Sequence, residues 1–181
     1  KIGNVSATDS GAYYMCGENS NNVYIVSIDS GLLEGKDYFV DRTILEISSS
    51  SGTNNFTQIN LSGTNYPSPI TIKKYDANNI ITSPVNAKAN PTTVEALETA
   101  LASLSADSVA ATNPDAPTLA SYGLDKPAAI VGFTVNNGSY KLSVGAQKDG
   151  GYYLMLDKVN VVYVVKADSV NTWVGTNVFA L

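Results

Sequence analysis

The phrase GAYYMCGENSNNVYIV at residues 11–26 returns as GGYYLMLDKVNVVYVV at residues 150–165. A shift of 139 residues superimposes Gly11, Tyr13, Tyr14, Asn21, Val23, Tyr24, Val26, Asp29 and Ser30 on Gly150, Tyr152, Tyr153, Asn160, Val162, Tyr163, Val165, Asp168 and Ser169. Tyr, Val, Ile and Leu suit a pleated, half-buried surface. Each phrase has two such runs around a polar, Asn-containing turn, Gly17 to Asn22 and Asp157 to Asn160. That pattern predicts a β-hairpin. Upstream, with a short gap, Lys1-Ile2-Gly3 resembles Lys141-Leu142-Ser143-Val144-Gly145. Downstream, Asp29-Ser30 and Asp168-Ser169 are candidate caps for helical turns ending near Gly35 and Gly175.

A repeat of this spacing exceeds the roughly 20–50 residues of a solenoid unit. It implies a duplicated subdomain. Residues 1–40 then read as the tail of a first repeat, and residues 41–181 as a nearly complete second one. The chain opens on Lys1 and carries no visible signal peptide, so it is expected to be a piece of something longer.

Between the hairpins the chain reads as further strands with one clear helix. Residues 41–47 and 56–61 alternate like strands. In the second, Phe56, Gln58 and Asn60 are assigned to one face and Thr57, Ile59 and Leu61 to the other. Ser48 to Asn55 reads as a loop tip. Residues 70–75 and 80–82 flank a turn at Asp76-Ala-Asn-Asn79, whose spacing lacks the glycine and distal glutamate of a calcium loop. Val94, Leu97, Leu101 and Leu104 share one helical face, predicting an amphipathic helix over about 91–104 with Pro91 at its first position. Thr92 and Glu95 offer an alternative capping box. A shorter helical piece is predicted at 117–122, ended by Gly123. Strands at 129–135 and 140–144 surround Asn136-Asn137-Gly138. The fold class is therefore α+β: strand-rich antiparallel sheets built from hairpins, one amphipathic helix, short helical turns and a duplicated-subdomain character.

Composition excludes several chemistries. The chain has no histidine, which removes Ser-His-Asp and Cys-His catalysis and most zinc and iron sites. Its one cysteine, Cys16, cannot form an intrachain disulfide and reads as a small hydrophobe. Eleven scattered Lys and Arg against a net charge of −5 give no basic stripe for a phosphate backbone or an anionic membrane. No apolar run approaches a membrane span.

Leu119-Ala-Ser-Tyr-Gly-Leu-Asp-Lys-Pro127, the alternating strand and turn that follow, a strand ending in Val144-Gly145, and the second Tyr-Tyr hairpin together resemble the bacterial family named domain of unknown function 4340. Asp41-Arg42-Thr-Ile-Leu, the helix, and Ala106-Asp107-Ser-Val109 are similar to it as well. The family often has a Trp in the strand before the helix, where this chain has Ile80. The resemblance implies an extracytoplasmic, envelope-associated protein, held by an N-terminal membrane helix or anchor and encoded beside ABC-type export or gliding components. It implies no catalytic residue.

The candidate ligand-binding residues are Tyr13, Tyr14, Tyr152 and Tyr153, an aromatic platform of which alternation places one member of each pair in the core. Tyr122, Gly123, Leu124, Asp125 and Pro127 are read as a structural turn, and Asp41-Arg42 as an ion pair or turn anchor at a strand entry. No metal site and no cofactor are expected. The expected function is a non-catalytic binding or scaffolding module of an ABC-transporter-linked membrane assembly, with protein partners and no nucleic acid. A glycan- or peptide-binding module using exposed tyrosines is the alternative. A carboxylate-dependent hydrolase is the third reading, since carboxylates distant in sequence can meet in space.

Overall fold

A computed structural model of the protein describes residues 1–33, 35–48 and 53–175. Its contacts separate two compact units, residues 1–39 and 40–181. The fold is α+β and strand-rich, with every strand of its sheets paired antiparallel.

The first unit is a three-stranded sheet of β1 (Ile2–Val5), β2 (Ala12–Met15) and β3 (Tyr24–Ser27), in that spatial order. Ala12 is buried, and its carbonyl accepts from the Ser6 N–H at 2.8 Å. The first predicted cap forms: Asp29 Oδ1 accepts from the Gly31 N–H at 2.8 Å, opening a 3₁₀ turn at Ser30–Leu33. Gly35 follows that turn, and Glu34 between them lies outside the described residues.

The second unit is built on a nine-stranded sheet. In chain order its elements are β4 (Thr43–Glu46), β5 (Phe56–Ser62), β6 (Ile70–Tyr75), β7 (Asn78–Ser83), β8 (Ala87–Lys88), α1 (Pro91–Ala102), β9 (Ser103–Ser105), β10 (Ser108–Thr112), α2 (Ala116–Ser121), β11 (Ala129–Val135), β12 (Gly138–Lys148), β13 (Gly151–Leu156), β14 (Val161–Lys166) and α3 (Ala167–Val174). The sheet order is β10-β14-β13-β12-β11-β5-β6-β7-β8, and β4 pairs separately with β9. The β11–β12 turn puts Asn136 and Asn137 at φ 48° and 66°, the left-handed pair that a two-residue hairpin loop requires.

Helix α1 packs against α3 and β7, and α3 against β11, β13 and β14. Val94, Leu97 and Leu101 from α1 meet Val170 and Trp173 from α3 in one core with Ile59, Leu61, Ile72, Val131, Leu142 and Leu154. Each such side chain contributes about 1.5–3 kcal/mol through burial. Asn90 caps α1, its side-chain oxygen accepting from the Thr92 N–H at 3.0 Å, with Pro91 next.

Four details differ from the periodic reading. Helix α1 stops at Ala102, and Leu104 is buried from β9 instead. The chain turns extended at Ser103 so that β9 can pair with β4. Phe56 is buried together with Ile59 and Leu61, not on the opposite face. A bulge at Thr57 causes this: Thr134 faces Gln58, but Val135 faces Phe56, so the alternation slips by one. At α3 the cap position is Lys166, with no side-chain cap bond, and Asp168 sits inside the first turn. Finally, β7 begins at Asn78, so the turn before it is tighter than expected. Of the loop tip at 48–55, residues 49–52 lie outside the described residues.

Candidate functional site

The turn at Tyr122–Pro127 is fixed by backbone chemistry. Asp115 caps α2, its Oδ1 accepting from the Thr118 N–H at 2.9 Å. Hydrogen bonds from the Thr118 side chain and backbone hold the Asp115 carboxyl below the usual range. At the other end the Gly123 N–H donates to Ala120 O at 3.0 Å and the Leu124 N–H to Leu119 O at 2.9 Å. These are the two bonds of a Schellman stop, and Gly123 takes the left-handed conformation it needs, φ 69°. The turn then docks on β12. Ala146 N–H donates to Tyr122 O at 2.8 Å. A Cβ on Gly145 would overlap the Tyr122 carbonyl and press on the Leu124 side chain. The landing site is a bulge in the β12–β13 ladder between Val144 and Gln147.

Tyr153 completes the contact. Its ring lies 4.3 Å from that of Tyr122, tilted by 36°, and the Lys148 ammonium stands 5.7 Å from the Tyr153 centroid. Tyr122 also donates its hydroxyl to Ala110 O at 3.3 Å. Tyr152, on the other face of β13, packs against the main core. Both are half-buried, as are Tyr13 and Tyr14 in the first unit.

The two Tyr-Tyr hairpins share one register. Tyr13 faces Val26, Tyr14 faces Ile25 and Met15 faces Tyr24. Under the 139-residue shift, Tyr152 faces Val165, Tyr153 faces Val164 and Leu154 faces Tyr163. The strand before each hairpin matches too. Ile2 faces Met15 and Val5 faces Tyr13, with an irregularity between them. Val144 faces Leu154 and Gln147 faces Tyr152, with the same irregularity. Gly3 is therefore the counterpart of Gly145. The hairpins differ in exposure. Ile2, Val23 and Tyr24 are 43%, 65% and 54% exposed, whereas Val144, Val162 and Tyr163 are 0%, 0% and 5%. Burial pushes the Tyr163 phenol up, helped by the charge of Asp41.

Asp41 and Arg42 act as a strand-entry anchor. Asp41 Oδ1 accepts from the Thr43 N–H at 2.9 Å, which with the Thr43 hydroxyl holds its carboxyl low. Arg42 reaches Asp107 O at 3.2 Å, and Arg42 O accepts from the Ala106 N–H at 2.7 Å.

Among the described residues several surface grooves hold ionisable groups, including two that hold a carboxylate that interacts with a lysine. One, of about 280 Å³, contains Asp107, Lys148, Asp149 and Lys166, with Lys166 and Asp107 3.9 Å apart and largely exposed. The other contains Glu95 and Glu98 from one face of α1. Partial burial raises Glu98, Lys74 opposes the shift and Glu95 adds to it. Among the described residues no group of three or more His, Cys, Asp or Glu is placed to hold a metal, and no helix is long and apolar enough to cross a membrane.

Sequence reasoning found the Tyr-Gly-Leu-Asp turn but missed its receptor. The signal for Gly145 was present, since Gly3 repeats it. Trp173, fully buried in α3, was also missed, because a predicted turn of one cap and one glycine gives no reason to expect a core residue.

No curated protein and no solved structure matches the chain. A family model described as a domain of unknown function, DUF4340, matches residues 80–181. That span is more than half of the chain and contains α1, the Tyr-Gly-Leu-Asp turn, its receptor on β12 and the second Tyr-Tyr hairpin. The chain belongs to the DUF4340 family.

Proposed function

We propose that the protein is a non-catalytic binding or scaffolding module of an extracytoplasmic, membrane-associated assembly, with protein partners. The observation that carries this reading is the apolar surface of the first unit. Ile2, Val5, Tyr24 and Ile25 are exposed on one small sheet, and Val23, just before its third strand, is exposed beside them. Exposed apolar residues gathered on one small element mark interaction sites more often than scattered single ones do. Strand β3 (Tyr-Ile-Val-Ser) is also an edge strand that carries no charge. Such an edge invites pairing with another chain. Attachment beside an ABC-type export system is the setting that the family resemblance implies.

Photo-crosslinking from position 25 of the full-length protein in its own cells tests the reading. A defined protein adduct supports it. Absence of any protein adduct, with label transferred only to glycan, overturns it in favour of a glycan-binding module.

A further inference from the structure

The first unit repeats the receptor half of a contact whose ligand half is seen only in the second. In the second unit, Gly145 makes room for the Tyr122 carbonyl, Tyr153 stacks on the Tyr122 ring, and β14 is flanked by β10. Their counterparts are Gly3, Tyr14 and β3, related by the same register and the same ladder irregularity. Strand β3 is the edge of its sheet.

Gly3 has no local reason to be glycine. A Cβ there meets Tyr14 O at 3.4 Å and Tyr14 Cβ at 3.7 Å, which are ordinary contacts, and its φ is not left-handed. At Gly145 the docked turn leaves no room for a Cβ. The three positions buried in the second unit and open in the first, Val144 against Ile2, Val162 against Val23 and Tyr163 against Tyr24, lie on or beside the same strands.

We infer that Gly3, Tyr14 and the free edge of β3 form a docking surface for a Tyr-Gly-Leu-Asp-bearing segment of another DUF4340-type unit. The incoming segment has the chemistry of residues 105–127 of this chain: a short uncharged strand, a capped helical turn and a Schellman glycine. Its strand pairs antiparallel with β3, and its Tyr carbonyl lands on Gly3 while its ring stacks on Tyr14. This rests on the reading of the first unit as an interaction surface and names the partner.

The test is a fluorescein-labelled peptide of residues 105–127 titrated against the whole chain, with amide hydrogen exchange as second readout. Saturable binding is expected, with new protection at Tyr24–Ser27 and none added at Val161–Lys166. Gly3→Ala is expected to leave the free protein's exchange pattern unchanged and to weaken binding at least about tenfold, as is Tyr122→Ala in the peptide. No binding, equal binding to Gly3→Ala, or protection confined to residues 161–166 overturns the inference. Self-association that protects β3 without peptide while residues 105–127 keep their own protection makes the occupant a different surface of a second copy and also overturns it. Position-25 crosslinks to a protein lacking any Tyr-Gly-Leu-Asp segment overturn it too, while leaving the interaction-module reading standing.

Discussion

The backbone N–H of Ala146 donates to the carbonyl of Tyr122 at 2.8 Å, and the glycine before Ala146 is what allows that approach. Gly145→Ala forces a Cβ into the carbonyl, so the turn must lift or the strand must bend. Overpacking of this kind costs about 1–3 kcal/mol. The matched substitution Gly3→Ala meets only ordinary contacts and is expected to stay within about 0.5 kcal/mol. Denaturant unfolding of the two variants reads the contrast. Equal losses would mean that Gly145 is not the receptor for the turn.

Trp173 is the chain's only tryptophan and is fully buried, so its emission reports on the second unit's core. Its carbonyl accepts from the Tyr66 hydroxyl, while its indole N–H finds no acceptor among the described residues. Trp173→Ala is expected to cost about 3–5 kcal/mol. Trp173→Phe keeps most of the apolar volume and removes a donor that is expensive to bury unpaired. It is therefore expected to cost clearly less than the alanine variant in chemical unfolding, with Tyr emission or circular dichroism as the signal. Equal costs would place an acceptor on the indole.

Helix α1 begins on a single side-chain bond, Asn90 to the Thr92 N–H. Asn90→Ala is expected to destabilise by about 1 kcal/mol. Thr92→Ala, which leaves that bond in place, is expected to do less. The reverse ranking in thermal melts would make Thr92 the cap, the alternative that the capping-box spacing offers.

The pH response has two limbs. Asp41 is held below its ordinary value by the backbone N–H and hydroxyl of Thr43, and Asp115 by the side chain and backbone N–H of Thr118. Their support is present above the unfolded Asp pKa and is lost as pH falls through the lowered folded value. Glu98 is raised, chiefly by burial. Its favourable term is full below the unfolded Glu pKa and disappears as pH rises through the folded value. Glu98→Gln is thus expected to flatten the loss of stability on the rising side, and Asp115→Asn to reduce the loss in acid. Unfolding midpoints measured across pH 2–7, on the order of half a unit apart, test both signs.

What the sequence disclosed followed from local rules. The Tyr-Tyr ribbons, the Asn136-Asn137 turn, the Pro91 helix start and the Gly123 stop are written in adjacent residues, and each forms. What stayed hidden was set by distant partners. Leu104 fits the helical period, but pairing of Ser103–Ser105 with Thr43–Glu46 pulls it into a strand. Phe56 changes face because Val135 skips Thr57. The four candidate tyrosines divide by neighbour rather than by alternation alone. Tyr153 meets Tyr122 through a turn about thirty residues earlier, a contact that spacing does not encode. The exposure of Tyr24 against the burial of Tyr163 is likewise invisible to composition, since the residues are the same.

One ribbon built twice, once covered and once open, is the core of this account. Nuclear magnetic resonance tests it most directly, through cross-strand contacts and amide exchange in a single sample. Contacts between Tyr13 and Val26 and between Met15 and Tyr24 should be matched by Tyr152 with Val165 and Leu154 with Tyr163, while exchange is fast along residues 24–27 and slow along 161–166. A one-residue slip in either ribbon, or equal protection of the two, would contradict it.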